Sequence, residues 1–445
     1  MIATPSTTEK RVTPNPPLAN IPQVELKRVV IVGGGFGGLK LARSLAGKEF
    51  QVVLLDKVNY HQFQPLFYQV ATAGLEPSSI SFPFRKVFQR TPNMAVRMAE
   101  LKSIDAVNST IQTDLGEIAY DYLILATGAD TNYFGNKNIQ EFALPMKSIT
   151  EALAIRNRIL DNYEKALNTR DESERQTLMN IVVVGGGPTG VEVSGTLAEM
   201  KKGVLPKDYP ELDFKPMKIY LIEASGKLLN GMSEQASASS RKYLERLGVT
   251  VMTGASVTDY DGQTVTLGGG AAPLHAATLV WAAGVTGIKL DGLPQECFVR
   301  GNRIQVDRTN RVNGLENVYA LGDIAYMTEE SYPNGHPQVA QVAIQQAANL
   351  ARNLKRIDLK QDTVPFSYKN LGSMATIGRN KAVADLPHLK FHGFVAWLFW
   401  MFVHLMSIVG IKNKLVTFIN WAWNYFTSDQ SLRLIIRPEQ KKATK

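Results

Sequence analysis

The chain has 445 residues, of which 44% are hydrophobic and 20% charged, a composition typical of a globular protein with two or three domains. Its formal net charge is +9, but no basic segment with interleaved aromatic residues is present. This disfavours nucleic acid as a partner and favours an anionic membrane surface. A single cysteine, Cys297, excludes an internal disulfide and a Cys-x-x-Cys pair, and no metal site is expected.

The first residues, 1–26, are expected to form a disordered tail. Residues 1–22 are rich in Thr, Pro and Asn and contain no apolar segment of the kind found in signal peptides. We therefore expect an intracellular protein whose folded part begins at Lys27.

A β-branched run at Arg28–Val32 leads into a Gly-x-Gly-x-x-Gly cluster and then into residues with helical spacing. The cluster consists of Gly33, Gly34, Gly35, Phe36, Gly37 and Gly38. In such a unit the first glycine permits the tight turn, the second admits a pyrophosphate to the backbone, and the third lets helix and strand pack closely. The next strand ends in Asp56, where an acid can accept hydrogen bonds from a ribose. The pattern predicts a dinucleotide site.

The same pattern occurs a second time. A strand at residues 180–184 precedes Gly185, Gly186, Gly187, Pro188, Thr189 and Gly190. The following strand, residues 218–222, ends in Glu223, after an insertion at residues 201–216. Two dinucleotide-binding units in one chain predict two nucleotides that face each other.

Three further apolar runs end in small residues or an acid, as strands do where open α/β sheets bind ligands. They lead into Ala126-Thr127-Gly128, Ala282-Ala283-Gly284 and Gly322-Asp323. A helix over residues 340–346 places Gln341 and Gln345 on one face, one turn apart. An aromatic and amide-rich loop, residues 57–70, is predicted to cover the site, with His61 in a structural role.

The C-terminal region is apolar and aromatic. Residues 391–410 and 415–426 contain four tryptophans, and Lys412 and Lys414 lie between the two runs. We expect two helices that lie in the membrane interface. The alternatives are a buried hairpin at a dimer interface and a membrane span, although the first run barely reaches spanning length.

These residues resemble the two-dinucleotide flavoprotein family, in which one unit holds FAD and the other NAD(P)H. Within it the chain is most similar to type II, non-proton-pumping NADH:quinone oxidoreductases. The segment 340–345 resembles their Ala-Gln-x-Ala-x-Gln quinone motif, and residues 59–61 and 64–66 resemble their loop beside the flavin. The resemblance implies FAD and NADH as cofactors and a membrane quinone (ubiquinone, menaquinone or plastoquinone) as acceptor. It also implies a homodimer bound peripherally to the cytoplasmic face of the inner (plasma) membrane.

The resemblance also implies site residues. FAD contacts are expected from Gly33, Gly34, Gly35, Phe36, Gly37, Gly38, Asp56, Lys57, Gln64, Ala126, Thr127, Gly128, Gly322, Asp323, Ala340 and Gln341. NAD contacts are expected from Gly185, Gly187, Pro188, Thr189, Gly190, Glu192, Glu223, Ala283 and Gly284. Gln341, Gln345 and Lys381 would bind quinone, and Glu192, Gln345 and Lys381 would act in catalysis. The two glutamines have the alternative of capping backbone groups or bonding the flavin, and Lys381 of being a solvated surface lysine.

The expected fold is α/β, with two Rossmann-like domains and an amphipathic C-terminal segment. The FAD domain is expected to be discontinuous, at 27–142 and 303–386, around an NADH domain at 143–302, with an anchoring and dimerisation region at 387–445. Glu223 favours NADH, because a carboxylate repels a 2′-phosphate. Alternatives are a soluble ferredoxin or rubredoxin reductase, an enzyme like sulfide:quinone oxidoreductase, and a non-enzymatic flavin-binding sensor or adaptor.

Overall fold

The computed structural model describes residues 18–47, 49–427 and 432–436. The strands are β1 (Arg28–Val32), β2 (Gln51–Asp56), β3 (Tyr60–Gln62), β4 (Ser81–Pro83), β5 (Met94–Met98), β6 (Leu101–Asp105), β7 (Thr110–Thr113), β8 (Gly116–Ala119), β9 (Tyr122–Leu125), β10 (Ala129–Thr131), β11 (Leu144–Pro145), β12 (Ile181–Val184), β13 (Ile219–Glu223), β14 (Val249–Thr253), β15 (Val257–Tyr260), β16 (Thr264–Leu267), β17 (Leu274–His275), β18 (Thr278–Trp281), β19 (Val285–Gly287), β20 (Phe298–Val299), β21 (Arg303–Gln305), β22 (Val318–Ala320), β23 (Ala325–Tyr326), β24 (Ser373–Thr376), β25 (Ala382–Asp385) and β26 (Lys390–Gly393). The α-helices are α1 (Phe36–Leu45), α2 (Phe67–Ala71), α3 (Phe84–Val87), α4 (Lys137–Phe142), α5 (Ile149–Leu167), α6 (Glu172–Met179), α7 (Pro188–Gly203), α8 (Leu205–Asp208), α9 (Glu234–Leu247), α10 (Ala340–Asp358), α11 (Phe394–Ser407) and α12 (Ile411–Thr427).

Two five-stranded parallel sheets form the centre of the molecule. The first has the order β22-β9-β1-β2-β5 and the second the order β11-β18-β12-β13-β14. The middle strands β1 and β12 are almost entirely buried and rich in valine and isoleucine, as strands covered on both faces require. A glycine turn and a helix, α1 or α7, follow each of them. The predicted α/β fold with two Rossmann-like units is confirmed.

The first sheet is discontinuous in sequence. Strand β22 pairs with β9 in register Val318 to Leu123, although the whole second sheet lies between them in the chain. Strands β10 and β19 also pair, antiparallel, and join the two units where both leave their sheets.

A three-stranded sheet, β24-β25-β26, packs against the second unit rather than on the first sheet. Ala375, Val383 and Ala384 belong to the same buried cluster as Leu197 of α7 and Trp400 of α11. The predicted second FAD segment extends to residue 386, so its last residues lie between the second unit and the C-terminal helices.

The predicted tail at 1–26 includes nine residues that the structure describes. Some of these residues contact the first sheet, although most of them are exposed. Ala19 is buried and its carbonyl accepts a hydrogen bond from Arg97, and the Pro22 carbonyl accepts one of 2.6 Å from Gln51 Nε2. Residues 1–17 lie outside the described part of the chain.

Helices α11 and α12 form an antiparallel apolar hairpin. Trp400 and Trp421 point inward and are buried, and the Trp421 indole N–H donates to Gln69 of α2 at 2.7 Å. The opposite face is apolar and open to solvent, with Phe402 63% and Phe426 83% exposed. Among the described helices, none combines the length and the apolar character that a membrane crossing requires.

Candidate active site

The two glycine turns are built alike. Gly33 and Gly185 have φ values of 103° and 110°, which favour glycine, and they make the turn at the strand end. A Cβ on Gly38 or on Gly190 would overlap the carbonyl oxygen of Gly33 or of Gly185, respectively. A Cβ on Gly35 would meet no atom within 4 Å, and Gly187 is equally open. The third glycine therefore permits close packing, and the second leaves the helix N-terminus open to a phosphate group.

The acids that end β2 and β13 brace these turns. Asp56 accepts hydrogen bonds from the N–H groups of Gly34 at 2.6 Å and Val58 at 2.9 Å. Glu223 does the same with the N–H groups of Gly186 at 2.5 Å and Ser225 at 2.7 Å. Each carboxylate keeps further lone pairs that can accept a hydrogen bond from a ribose hydroxyl. These two acids can therefore hold the turn and bind the predicted ribose at the same time.

A cavity of about 430 Å³ lies where the two units face each other. The predicted residues in its lining are Gly35, Phe36, Gly37, Gln64, Ala126, Gly128, Gly322, Asp323, Ala340, Pro188, Thr189 and Glu192. The two predicted sites thus meet in one space. Phe67 and Tyr68, from the loop predicted to cover the site, line it as well. Met374 and His404 also line it, and the sequence did not place them there.

The other predicted residues lie outside this lining. Gly33, Gly34, Gly38, Gly185 and Gly190 form the turns behind it. Gly284 has a φ of 77° and lies under the ring of Phe134 in the second unit, next to Ala283. Lys57 is an exposed lysine paired with Glu100 at 2.9 Å. Gln341 is half-buried on α10, outside the wall of the cavity.

Gln345 holds a backbone segment. Its amide donates to the Lys369 carbonyl at 2.9 Å and accepts from the Lys369 N–H at 3.0 Å, which is the capping alternative raised above. The neighbouring Gln346 reaches the site instead, because its Oε1 accepts the Gly322 N–H at 2.8 Å.

Lys381 lies beside the second unit. Its ammonium group is 5.5 Å from the centre of the Tyr243 ring, and its carbonyl closes the turn that begins at Thr376. That turn is joined to the cavity lining through Glu192, whose carboxyl group accepts a hydrogen bond of 3.3 Å from the Thr376 N–H.

Glu192 is a buried acid. Burial raises its pKa to about 8, against the smaller opposing effects of the Thr376 N–H and Trp400. The indole N–H of Trp400 lies beside the carboxyl group and favours its charged form, although the two do not meet at hydrogen-bonding geometry. At neutral pH Glu192 is therefore mostly protonated and can donate a proton or a hydrogen bond into the cavity.

His404 brings the C-terminal hairpin into the site. Its ring stacks on Trp400 with centroids 4.0 Å apart, and its Nδ1 lies 2.8 Å from the Trp400 carbonyl oxygen. Burial lowers the pKa of His404 to about 4, so the imidazole is neutral. The sequence does single out His404, because a histidine interrupts an otherwise apolar and aromatic run. Its position in the cavity wall, however, depends on how α11 packs against the rest of the protein.

The residues of the first unit fit an FAD. The Thr127 hydroxyl is buried with no hydrogen-bond partner among the described residues, and a Cβ on Gly128 would meet no atom within 4 Å. A ligand with hydrogen-bonding groups would satisfy that hydroxyl and occupy the space over Gly35 and Gly128.

Comparison with known proteins identifies the family of the chain. The pyridine nucleotide-disulphide oxidoreductase family matches residues 27–347, and the NDH2 C-terminal domain matches residues 370–429. Type II NADH:quinone oxidoreductase Ndh of Mycobacterium tuberculosis is 35% identical over 420 residues, which cover 90% of this chain and 88% of that protein.

Solved structures share the fold. NDH2 of Plasmodium falciparum in complex with NADH has a TM-score of 0.84 and 23% identity, and the match covers 92% of this chain and 100% of that one. Sulfide:quinone oxidoreductase of Aquifex aeolicus has a TM-score of 0.70 and 18% identity, with 91% and 96% covered. The chain belongs to the pyridine nucleotide-disulphide oxidoreductase family and, within it, to the type II NADH:quinone oxidoreductases. The resemblance drawn from the sequence is confirmed.

Proposed function

We infer that the protein is an FAD-dependent NADH:quinone oxidoreductase that does not pump protons. One observation supports this most directly. The cavity that joins both dinucleotide-binding units is also lined by His404 of the apolar hairpin. An apolar quinone that approaches along this hairpin can therefore reach the place where the two cofactors meet.

FAD supplies the redox chemistry, because it accepts a hydride and passes on two electrons. The residues that would hold it are the first glycine turn, Asp56, Thr127 and Asp323. Burial raises the pKa of Asp323, while Lys147 and Arg303 oppose this shift. The second glycine turn and Glu223 would hold NADH, and Glu192 keeps a protonated carboxyl group at the junction. Aromatic side chains, among them Tyr68 and Phe67, exclude water from it.

The purified protein should contain non-covalent FAD and oxidise NADH with a short-chain quinone. NADH should be preferred over NADPH, because Glu223 repels a 2′-phosphate and the nearby Lys227 is already paired with Glu234. We expect kcat/KM for NADH to exceed that for NADPH at least tenfold in steady-state assays. Absence of quinone reduction by an FAD-loaded, NADH-reducible protein would contradict the proposed function.

The remaining assignments are proposals too. The division into 27–142 with 303–386 and an intervening 143–302 is supported by the return of β22 to the first sheet. Lys381 is proposed at the quinone end through the Thr376 turn. Gln341 and Gln345 are proposed to bind quinone as well. The support for Gln345 is weaker, because its amide group already forms two hydrogen bonds with the backbone of Lys369.

We propose peripheral attachment to the cytoplasmic face of the inner membrane through the exposed face of α11 and α12. Eleven large apolar side chains on this face are exposed. Because burying one such side chain is worth roughly 1.5–3 kcal/mol, partial insertion of several of them would hold the protein at a membrane. Part of the face can also pair two subunits in a homodimer. Light scattering would then give twice the 49.1 kDa of the chain.

The double variant Phe402→Glu and Phe418→Glu should weaken sedimentation with anionic liposomes at least tenfold. Both side chains are more than half exposed, so the fold should tolerate the change. Removal of the whole hairpin is a poorer test, because Trp400 and Trp421 are buried in the core. The matched control is Val107→Glu, at a 93% exposed valine in the β6–β7 turn. Equal binding by both variants would refute the anchor.

A further inference from the structure

A second cavity, of about 500 Å³, lies behind the first. It is bounded by α2, by the C-terminal half of α7, by the turn after β24, and by α11 and α12. Its walls differ in character. Trp397, Met401 and Trp421 form the side toward the hairpin, and Glu199, Lys202 and Arg379 contribute charged groups on the opposite side.

The two cavities share a wall next to Glu192. Tyr68 lines both of them. Trp400 and Thr376 line the second cavity and contact the Glu192 carboxyl group in the first. Glu192 is only 7% exposed, and this wall separates its carboxyl group from the second cavity.

Helix α7 connects the two cavities along one face. Glu192, Thr196 and Glu199 are spaced by four and three residues, which places them one above the other on a helix. Glu192 lines the first cavity, whereas Thr196 and Glu199 line the second. The face therefore passes from the junction of the two units to the charged side of the second cavity.

Glu199 is positioned by its surroundings. Its carboxylate accepts a hydrogen bond from the Arg379 N–H, and a Cβ on Gly378 would come within 2.5 Å of its Oε1. Gly378, with a φ of 75°, thus leaves the space that the carboxylate occupies. Burial raises the pKa of Glu199, and the charges of Arg379 and Lys381 partly oppose this shift. Lys202 of α7 and Arg379 are the other charged groups in the cavity wall.

The reaction consumes one proton from solution. NADH, a quinone and one proton give NAD⁺ and a quinol, since the hydride brings one of the two quinol protons and both electrons. Glu192 is a buried acid at the junction of the units, and a turnover in which it supplies this proton leaves it deprotonated. It has to recover its proton from outside before the next turnover.

We propose that the second cavity is the entry path for this proton and that Glu199 is its receiving group. Glu199 takes a proton from the solvent side, and water in the cavity passes it along the Thr196 face to the carboxyl group of Glu192. No bond other than O–H bonds forms or breaks on this path. The inference rests on the proposed function, because it requires a quinone that is reduced to a quinol.

The test compares two electron acceptors with the FAD-loaded enzyme. Ferricyanide accepts electrons without taking up protons, whereas a short-chain quinone requires them. Glu199→Gln should lower the quinone-dependent kcat at least tenfold between pH 6 and pH 9. The ferricyanide rate should stay within twofold of the parent rate. Glu199→Asp, which keeps a titratable group, should restore most of the quinone rate.

A second variant tests the path rather than the group. Thr196→Leu narrows the cavity between the two glutamates and should reproduce the acceptor-dependent loss. Glu245→Gln, at a half-exposed glutamate paired with Arg241 on α9, is the matched control and should change neither rate. FAD content and thermal melting confirm that each variant is folded.

The outcomes are distinguishable. A parent enzyme without quinone activity contradicts the proposed function. An active parent with an unchanged Glu199→Gln variant contradicts only the entry path. Equal losses with both acceptors also contradict it, because ferricyanide reduction takes up no proton and needs no entry path.

Discussion

Replacing Gly190 with alanine should abolish NADH oxidation and leave FAD bound, whereas replacing Gly38 with alanine should release FAD. In each case the new Cβ would overlap a backbone carbonyl oxygen, of Gly185 or of Gly33, which cannot move without opening the turn. The N-terminus of the following helix would then no longer face the phosphates. We expect kcat/KM for NADH to fall at least 100-fold in Gly190→Ala, a loss of about 2.7 kcal/mol in transition-state stabilisation.

FAD content is read from the absorbance spectrum, and NADH binding from flavin reduction under anaerobic conditions. Gly231→Ala is the control, because its Cβ would meet no atom within 4 Å. Gly187→Ala is informative as well, because the protein itself leaves room for the methyl group. Any loss of NADH affinity in this variant would therefore show that the nucleotide lies close to Gly187. If Gly190→Ala lost FAD while Gly38→Ala retained it, the assignment of the two turns would be reversed.

Replacing Glu192 with glutamine should make the stability of the protein less dependent on pH. The pKa of Glu192 is about 8 in the folded protein and 4.5 in the unfolded reference, so the folded state keeps a proton that the unfolded state has lost. The free energy of unfolding of the parent therefore falls as the pH rises from 4.5 to 8, by about 5 kcal/mol in total. Glutamine keeps the neutral shape and removes this loss.

Denaturant unfolding of the FAD-loaded protein at several pH values measures the effect. The gain in stability from Glu192→Gln should increase from pH 6 to pH 8 and stay constant above. Glu234→Gln, at an exposed glutamate, should show no such increase. A gain that does not change with pH would mean that Glu192 is charged in the folded state.

His404 has the opposite pH dependence. Its pKa, lowered by burial to about 4, lies below the unfolded value of 6.5. The unfolded chain therefore takes up a proton first, and stability falls as the pH drops from 6.5 to 4, by about 3 kcal/mol. In the folded protein the first cavity thus contains an acid and a base that are both mostly neutral between about pH 4 and pH 8. Two uncharged side chains in the cavity wall favour the binding of an apolar substrate in this pH range.

The local parts of the site could be predicted from the sequence, because each depends on residues close together in the chain. The two glycine turns, the acids that follow them and the small residues after β9 and β18 are of this kind. The hydrogen bonds that Asp56 and Glu223 accept from the glycine turns were harder to predict than a ribose contact. The two acids accept hydrogen bonds from the N–H groups of Gly34 and Gly186 within the turns. The sequence pattern predicts a contact with a ribose, but it gives no sign of these hydrogen bonds.

The parts that depend on docking between distant elements could not be predicted. Spacing shows that Gln341 and Gln345 share a face of α10, but not which face meets the site. The packing of α10 on the first unit turns Gln346 toward Gly322 and leaves Gln345 to Lys369. His404 and Trp400 belong to a run whose hydrophobicity suggested a membrane partner, and only the docking of α11 shows that its inner face lines both cavities.

The return of β22 to the first sheet has a consequence for synthesis of the protein on the ribosome. The second sheet lies within residues 144–253 and 278–281, and all its strands are available before Val318 has been made. Four strands of the first sheet are made earlier, yet β9 has no neighbour on its outer edge until β22 has left the exit tunnel. The buried residues Leu123 and Leu125 lie on that edge, and an open apolar edge pairs readily with other chains. A nascent chain that already contains the second sheet but still lacks β22 is therefore the form of this protein most prone to aggregation. It is also the form that would benefit most from a chaperone.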